Sequence, residues 1–111
     1  MAGKFEITTR KNGEFQFNLK AGNGQVILTS EGYGAKASAL NGIESVRKHS
    51  QADASFERLT AKDGSPYFTL KASNGQVIGH SEMYSGTAAR DNGIASVKTH
   101  APDAAVVDTT A

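Results

Sequence analysis

The chain has no cysteine, no tryptophan, only two prolines and no excess of either charge. Without cysteine there can be no disulfide framework, thiolate metal site or cysteine nucleophile. That composition fits a reducing cytoplasm, which is the expected location. Twelve basic residues against eleven acidic ones leave a formal net charge of +1. Such a balance gives no electrostatic footprint for nucleic acid or acidic lipid. No apolar run approaches the roughly 20 residues of a membrane-spanning helix. The start, Met1-Ala2-Gly3-Lys4-Phe5, has no apolar segment of the secretory kind. A membrane is therefore not an expected partner, and nucleic acid ranks last among the binding classes.

What is present is repetition. Asn23-Gly24-Gln25-Val26-Ile27 returns as Asn74-Gly75-Gln76-Val77-Ile78, 51 residues later. The same offset aligns Phe5 with Phe56, Tyr33 with Tyr84, Asn41-Gly42-Ile43 with Asn92-Gly93-Ile94, and His49 with His100. About half the positions between Phe5 and His49 are identical to their partners, which marks an internal duplication. A unit of about 50 residues buries too little surface to be comfortable alone. The two copies, about 4–54 and 55–105, are therefore expected to share one core in a single domain spanning 1–111, as a monomer.

Each copy opens with strand patterns. Phe5 and Ile7 alternate with Glu6 and Thr8; Phe15, Phe17, Leu19 and Ala21 alternate with Gln16, Asn18 and Lys20. That is a sheet with one covered and one wet face. Asn12-Gly13 and Asp63-Gly64 predict type I′ hairpin turns. Val26-Ile27-Leu28 is a third strand whose facing stays open, because all three residues are apolar. From Ala35 to about Lys48 the pattern turns helical, with Ala39, Gly42, Ile43 and Val46 in one stripe. Gly42 on that stripe predicts close approach of helix to sheet. The second copy repeats the plan with a helix from about Thr87 to Thr99. Pro66 should mark a strand start or an edge, and the Arg90 stem should lie on apolar surface with its charge at the rim. A last strand, about 104–109, looks like the opening of a third copy. The expected fold is α+β and two-layered: one antiparallel sheet of about seven strands with two helices on one face.

These motifs, Asn23 to Ile27, Ser30-Glu31 with Tyr33, and Asn41 to Val46, each with its second copy, resemble the YegP-like family of small bacterial proteins. The resemblance covers nearly the whole chain. It implies tandem β(3)-α-β repeats that join in a single sheet and exchange their terminal strands. Departures are Gly79 for Leu28, Met83 for Gly32 and Asp91 for Leu40. No activity, cofactor or catalytic residue comes with the resemblance.

Three sets of polar residues are candidates for function. Ser30-Glu31-x-Tyr33 and Ser81-Glu82-x-Tyr84 could form a duplicated polar site, or the serines could cap the following helices over a packed tyrosine. Asn41 with Ser45, and Asn92 with Ser96, share a helix face away from the apolar stripe. They could meet a ligand or partner, bond helix to helix, or simply reflect the duplication. His49 and His100 close the helices, where positive charge suits the dipole. No ligand spacing joins them, or His80, to Asp53 or Asp103 as a metal site. The outward residues Gln16, Asn18, Lys20, Tyr67, Thr69 and Lys71 include one aromatic, too few for a nucleic-acid platform. No cofactor or metal is expected. The composite reading is a non-enzymatic module acting on an unknown protein or small molecule. The alternative is a small-ligand-binding protein or enzyme using the Ser-Glu-x-Tyr junctions.

Overall fold

A computed structural model describes residues 3–110. The first two residues of the N-terminal stretch read above, and the last residue of the 1–111 span, lie outside the described part. The order is β1 (Lys4–Thr9), β2 (Phe15–Lys20), β3 (Val26–Ser30), α1 (Lys36–His49), a short 3-10 turn (Asp53–Ser55), β4 (Phe56–Thr60), β5 (Pro66–Lys71), β6 (Val77–His80), α2 (Thr87–His100) and β7 (Ala105–Asp108). Both helices begin and end within one residue of the predicted bounds.

The strands form one sheet in the order β4-β5-β6-β3-β2-β1-β7. Two meanders meet back to back at β3 and β6. All pairs are antiparallel except β1 with β7, which run parallel, so the sheet is mixed rather than wholly antiparallel. The parallel pair follows from connectivity. A strand that returns after a helix to the far edge can run beside the first strand without a hairpin. α1 leads to β4 beside the second meander and α2 leads to β7 beside the first, so the terminal strands are exchanged.

The hairpins depart from the predicted turn. Among the described residues only glycines have positive φ: Gly13 at 88°, Gly24 at 85°, Gly64 at 89° and Gly75 at 86°. A type I′ turn would need Asn12 there too. These are instead three-residue loops, a type I turn closed by a left-handed glycine, with the Gly13 N–H donating to Arg10 O at 3.0 Å. The residue before each glycine locks the loop. Asn12, Asn23, Asp63 and Asn74 each accept the backbone N–H two residues on, at 2.9–3.0 Å. That bond from the Ser65 N–H holds the Asp63 carboxyl below its usual range.

The open question of Val26-Ile27-Leu28 is answered by a bulge. Leu19 pairs with Leu28 and Lys20 with Val26, so Ile27 is the extra residue. Ile27 and Leu28 are both buried. Ile78 repeats this in β6. One apolar cluster takes Phe5, Ile7, Phe17, Leu19 and Leu28 from the first copy and Phe68 and Leu70 from the second, closed by Ile43, Val46, Ile94 and Val97 of the helices. Burying each such side chain contributes about 1.5–3 kcal/mol. α1 lies on β2 and reaches β5 and β6, while α2 lies on β5 and reaches β3. Each helix thus covers parts of both copies.

Pro66 opens β5 as expected, and Arg90 is largely buried with its Nε 3.3 Å from Asp91. On the open face, Lys20 pairs with Glu6 at 2.9 Å and Lys71 with Glu57 at 3.2 Å. Thr69, expected to be exposed there, is buried. Its neighbours in the ladder, Glu57 and His80, flank it on both sides.

Candidate functional site

The Ser-Glu-x-Tyr motif divides into residues the fold consumes and one, Glu31, that stays exposed beside His80, whose Nδ1 lies 3.8 Å from its carboxylate. Ser30 is fully buried. Its Oγ accepts the Phe17 N–H at 2.9 Å and donates to Glu31 O at 2.9 Å. The strand bulges after Ser30, and Tyr33 rejoins β2 two residues from Phe17, exchanging two hydrogen bonds of 2.7 Å with Phe15. The hydroxyl therefore supplies the acceptor that the ladder lacks at the bulge. Ser81 does the same for the Phe68 N–H. The capping reading is corrected: the helices start at Ala35 and Gly86 with no side-chain cap.

Tyr33 stacks on Phe17 at 6.3 Å between ring centroids, as Tyr84 does on Phe68. Gly42 meets this tyrosine rather than the sheet backbone. A Cβ there would lie 2.5 Å from the Tyr33 hydroxyl and 2.9 Å from Phe17 Cε2. Gly93 faces Tyr84 in the same way. Partial burial, and then the charge of Glu31, push the Tyr33 hydroxyl above its ordinary value. Tyr84 is raised by burial and Glu82. Both therefore stay neutral hydrogen-bonding groups near pH 7.

Between α1 and the start of β6 lies a groove of about 560 Å³. The first copy supplies Glu31, Tyr33, Ser38, Asn41, Gly42 and Ser45; the second supplies Ala72, Asn74, Gln76, Val77 and Ile78. Four sequence candidates, Glu31, Tyr33, Asn41 and Ser45, thus meet in one place. A second groove of about 470 Å³, between α2 and the turn after β2, is lined by Ala21, Gly22, Asn23, Ser96 and His100. Ala21, Asn23 and Ser96 are the repeat partners of Ala72, Asn74 and Ser45. Ser30 and Ser81 line neither groove, nor do Glu82, Tyr84 and Asn92. Ser38, Gln76 and Val77 are not among the candidates the sequence offers; Ser38 joins the row of Asn41 on α1, and only the tertiary meeting of the two copies places Gln76 and Val77 opposite it.

The histidines bind the helix ends. His49 Nδ1 lies 2.9 Å from Ser45 O, and its Nε2 lies 3.2 Å from the Ser73 N. A carbonyl only accepts and a backbone N–H only donates, so the proton sits on Nδ1. The 3.2 Å approach of Ser45 Oγ to Nδ1 is then to an N–H. His49 cannot take a proton from Ser45, and Ser45 is not an activated nucleophile. His100 repeats the contact with Ser96 O at 2.8 Å. Asp53 is engaged by Lys98 at 2.8 Å and Arg58 at 3.5 Å. Among the described residues no three acidic or histidine side chains come together as metal ligands would. No described helix is long and apolar enough to cross a membrane.

Comparison with known proteins agrees with this architecture. A UPF0339 protein of Bordetella pertussis is 58% identical over 110 residues, covering 99% of this chain and 98% of that protein. The UPF0339 protein YegP of Shigella flexneri is 50% identical over 110 residues, covering 99% of this chain and all of that protein. The solution NMR structure of a UPF0339 protein from Shewanella oneidensis superposes with a TM-score of 0.91 at 52% identity, covering 97% of this chain and 92% of that one. That of YegP from E. coli, described as a protein of unknown function, gives 0.93 at 49% identity, covering 98% and 94%. None of these names indicates a specific function. The family profile described as "Domain of unknown function (DUF1508)" matches twice, over residues 11–57 and 61–108, and the chain belongs to that family.

Proposed function

We propose that this protein is a non-enzymatic binding module whose ligand occupies the groove between α1 and the start of β6. One observation carries the reading. Of the residues repeated 51 positions apart, Ser30 is used up by the fold and lines no groove, whereas Glu31 and Asn41 are exposed and line this one. A volume of about 560 Å³ falls within the range of small-ligand sites. The lining combines hydroxyl and amide groups with one carboxylate, Glu31, and apolar Ala72, Val77 and Ile78, suited to a hydrogen-bonding ligand that is neutral or basic. The engaged His49 leaves Ser45 without a base, which favours binding over catalysis. The lack of cysteine supports a cytoplasmic setting, and the mutual covering of the two copies supports a monomer.

The test is Asn41→Ala, read by thermal melting and by NMR titration with a panel of neutral metabolites and short peptides. Stability should change by no more than about 0.5 kcal/mol, as at other exposed sites, while the groove amides lose their response to whichever compound moves them in the wild type. A large loss of stability would make Asn41 a structural residue and remove the main support for the site.

A further inference from the structure

The groove has an unusual wall. The ladder between β3 and β6 contains only Thr29–His80 and Ser30–Gly79, followed by one bond from the Glu31 N–H to Ile78 O at 3.2 Å. β3 then leaves for β2, where Tyr33 pairs with Phe15. Val77 still pairs with Lys71 of β5 on one side. On its other side it has no strand among the described residues, and it is 37% exposed despite being apolar. An uncovered strand edge is a template for another strand.

Across from this edge Ser38, Asn41 and Ser45 stand in one row on α1. Seven residues of helix rise about 10 Å, the length of about three residues of extended chain. Asn41 offers both a donor and an acceptor, matching the alternating groups of a peptide backbone. The Tyr33 ring stacks one face on Phe17, and its hydroxyl adds a hydrogen-bonding group to the groove. Glu31 is the one ionisable acid or base among the groove's lining residues apart from Tyr33, and among the described residues the one basic side chain in contact with it is His80 of β6, at 3.8 Å. A basic group is favoured there, and an acidic one is opposed.

We infer that the groove takes an extended segment of a partner protein, laid as an added strand beside Val77, with a lysine or arginine of that segment next to Glu31. This rests on the groove being the ligand site. The probes are three acetylated, amidated pentapeptides of alternating threonine and valine with lysine, alanine or glutamate at the centre, titrated into the isotope-labelled full chain. The lysine peptide should shift the Gln76 and Val77 backbone amides and the Asn41 side chain, and should slow exchange of the β6 amides. Asn41→Ala should weaken the lysine and alanine peptides about fivefold. Glu31→Gln should reduce the lysine-over-alanine preference about threefold, as for a partly exposed ion pair. Equal binding of all three peptides overturns the placement of the basic residue. Silence of the peptides at millimolar concentration, with neutral sugars or amides shifting the same signals, overturns the peptide inference and leaves the binding groove standing. Silence of both overturns both readings.

Discussion

The two copies of the repeat sit at opposite edges of one sheet, and their differences follow from what each edge meets. Ile7 of β1 is fully buried, with β7 paired along its far side. Its partner in β4 is Arg58, exposed at the sheet edge and bonded to Asp91 at 3.2 Å and Asp53 at 3.5 Å. Asp91, its partner there, replaces Leu40. The edge that receives a strand keeps apolar residues, whereas the uncovered edge carries charge, a device that discourages pairing with another chain. The exits of the helices show the reverse, a shared device. Arg47 of α1 lies 5.4 Å over the Phe5 ring and bonds to Ala104 O at 2.6 Å. Lys98, its partner in α2, lies 5.8 Å over Phe56 and bonds to Asp53 at 2.8 Å. Ala104 and Asp53 are themselves repeat partners, so each helix grips the chain leaving the other.

The largest way to break this comparison is to exchange the edge residues. Ile7→Arg should cost about 3 kcal/mol or more, because it buries a charge without a partner. Arg58→Ile should change stability by no more than about 1 kcal/mol at its exposed site while raising self-association through the unguarded edge. Denaturant melts and sedimentation of both variants check this, and equal destabilisation would contradict it.

A smaller effect sharpens what the copies share. Alanine has the better helix propensity by about 1 kcal/mol, yet Gly42→Ala should destabilise by about 1–3 kcal/mol because its Cβ overlaps the tyrosine hydroxyl. Removing that hydroxyl with Tyr33→Phe should recover part of the loss in a double-mutant cycle. Additive losses would show that the contact is not the cause.

The smallest effect concerns the covered edge alone. The Lys36 ammonium, then the Thr110 hydroxyl and N–H, hold the Asp108 carboxyl down from 3.8 to about 2. A lowered value makes the interaction stabilising above about 3.8 and lost as pH falls through about 2. Amides 105–108 should therefore lose exchange protection in that acid window, ahead of β4. Lys36→Met should weaken the acid dependence, leaving the part due to Thr110, and an unchanged profile would mean that the ion pair does not hold β7.

Much of the fold could be read from residue pattern because it rests on local periodicity. Alternation in Phe15 to Ala21 and the stripe through Ile43 and Val46 need no distant partner to be recognised. What escaped reading depends on residues far apart. Ser30 resembles a helix cap until the Phe17 N–H, 13 residues away, is placed beside it. The parallel direction of β7 depends on where α2 delivers the chain. The I′ turn was expected from Asn-Gly alone, but a third loop residue puts only the glycine at positive φ. Of the candidate site, Glu31, Tyr33, Asn41 and Ser45 were legible as repeated polar residues. Their convergence on Gln76 and Val77 was not, because one copy builds half the groove and the other copy builds the rest.

We propose that the repeats, about 4–54 and 55–105, form one domain in which neither copy is stable without the other. The most direct test is residues 1–54 made alone, followed by amide NMR spectra and sedimentation. Without β5, β6 and α2 to cover its half of the core, the fragment should be unfolded, or folded only as a dimer that restores the sheet. A stably folded monomer would contradict the account.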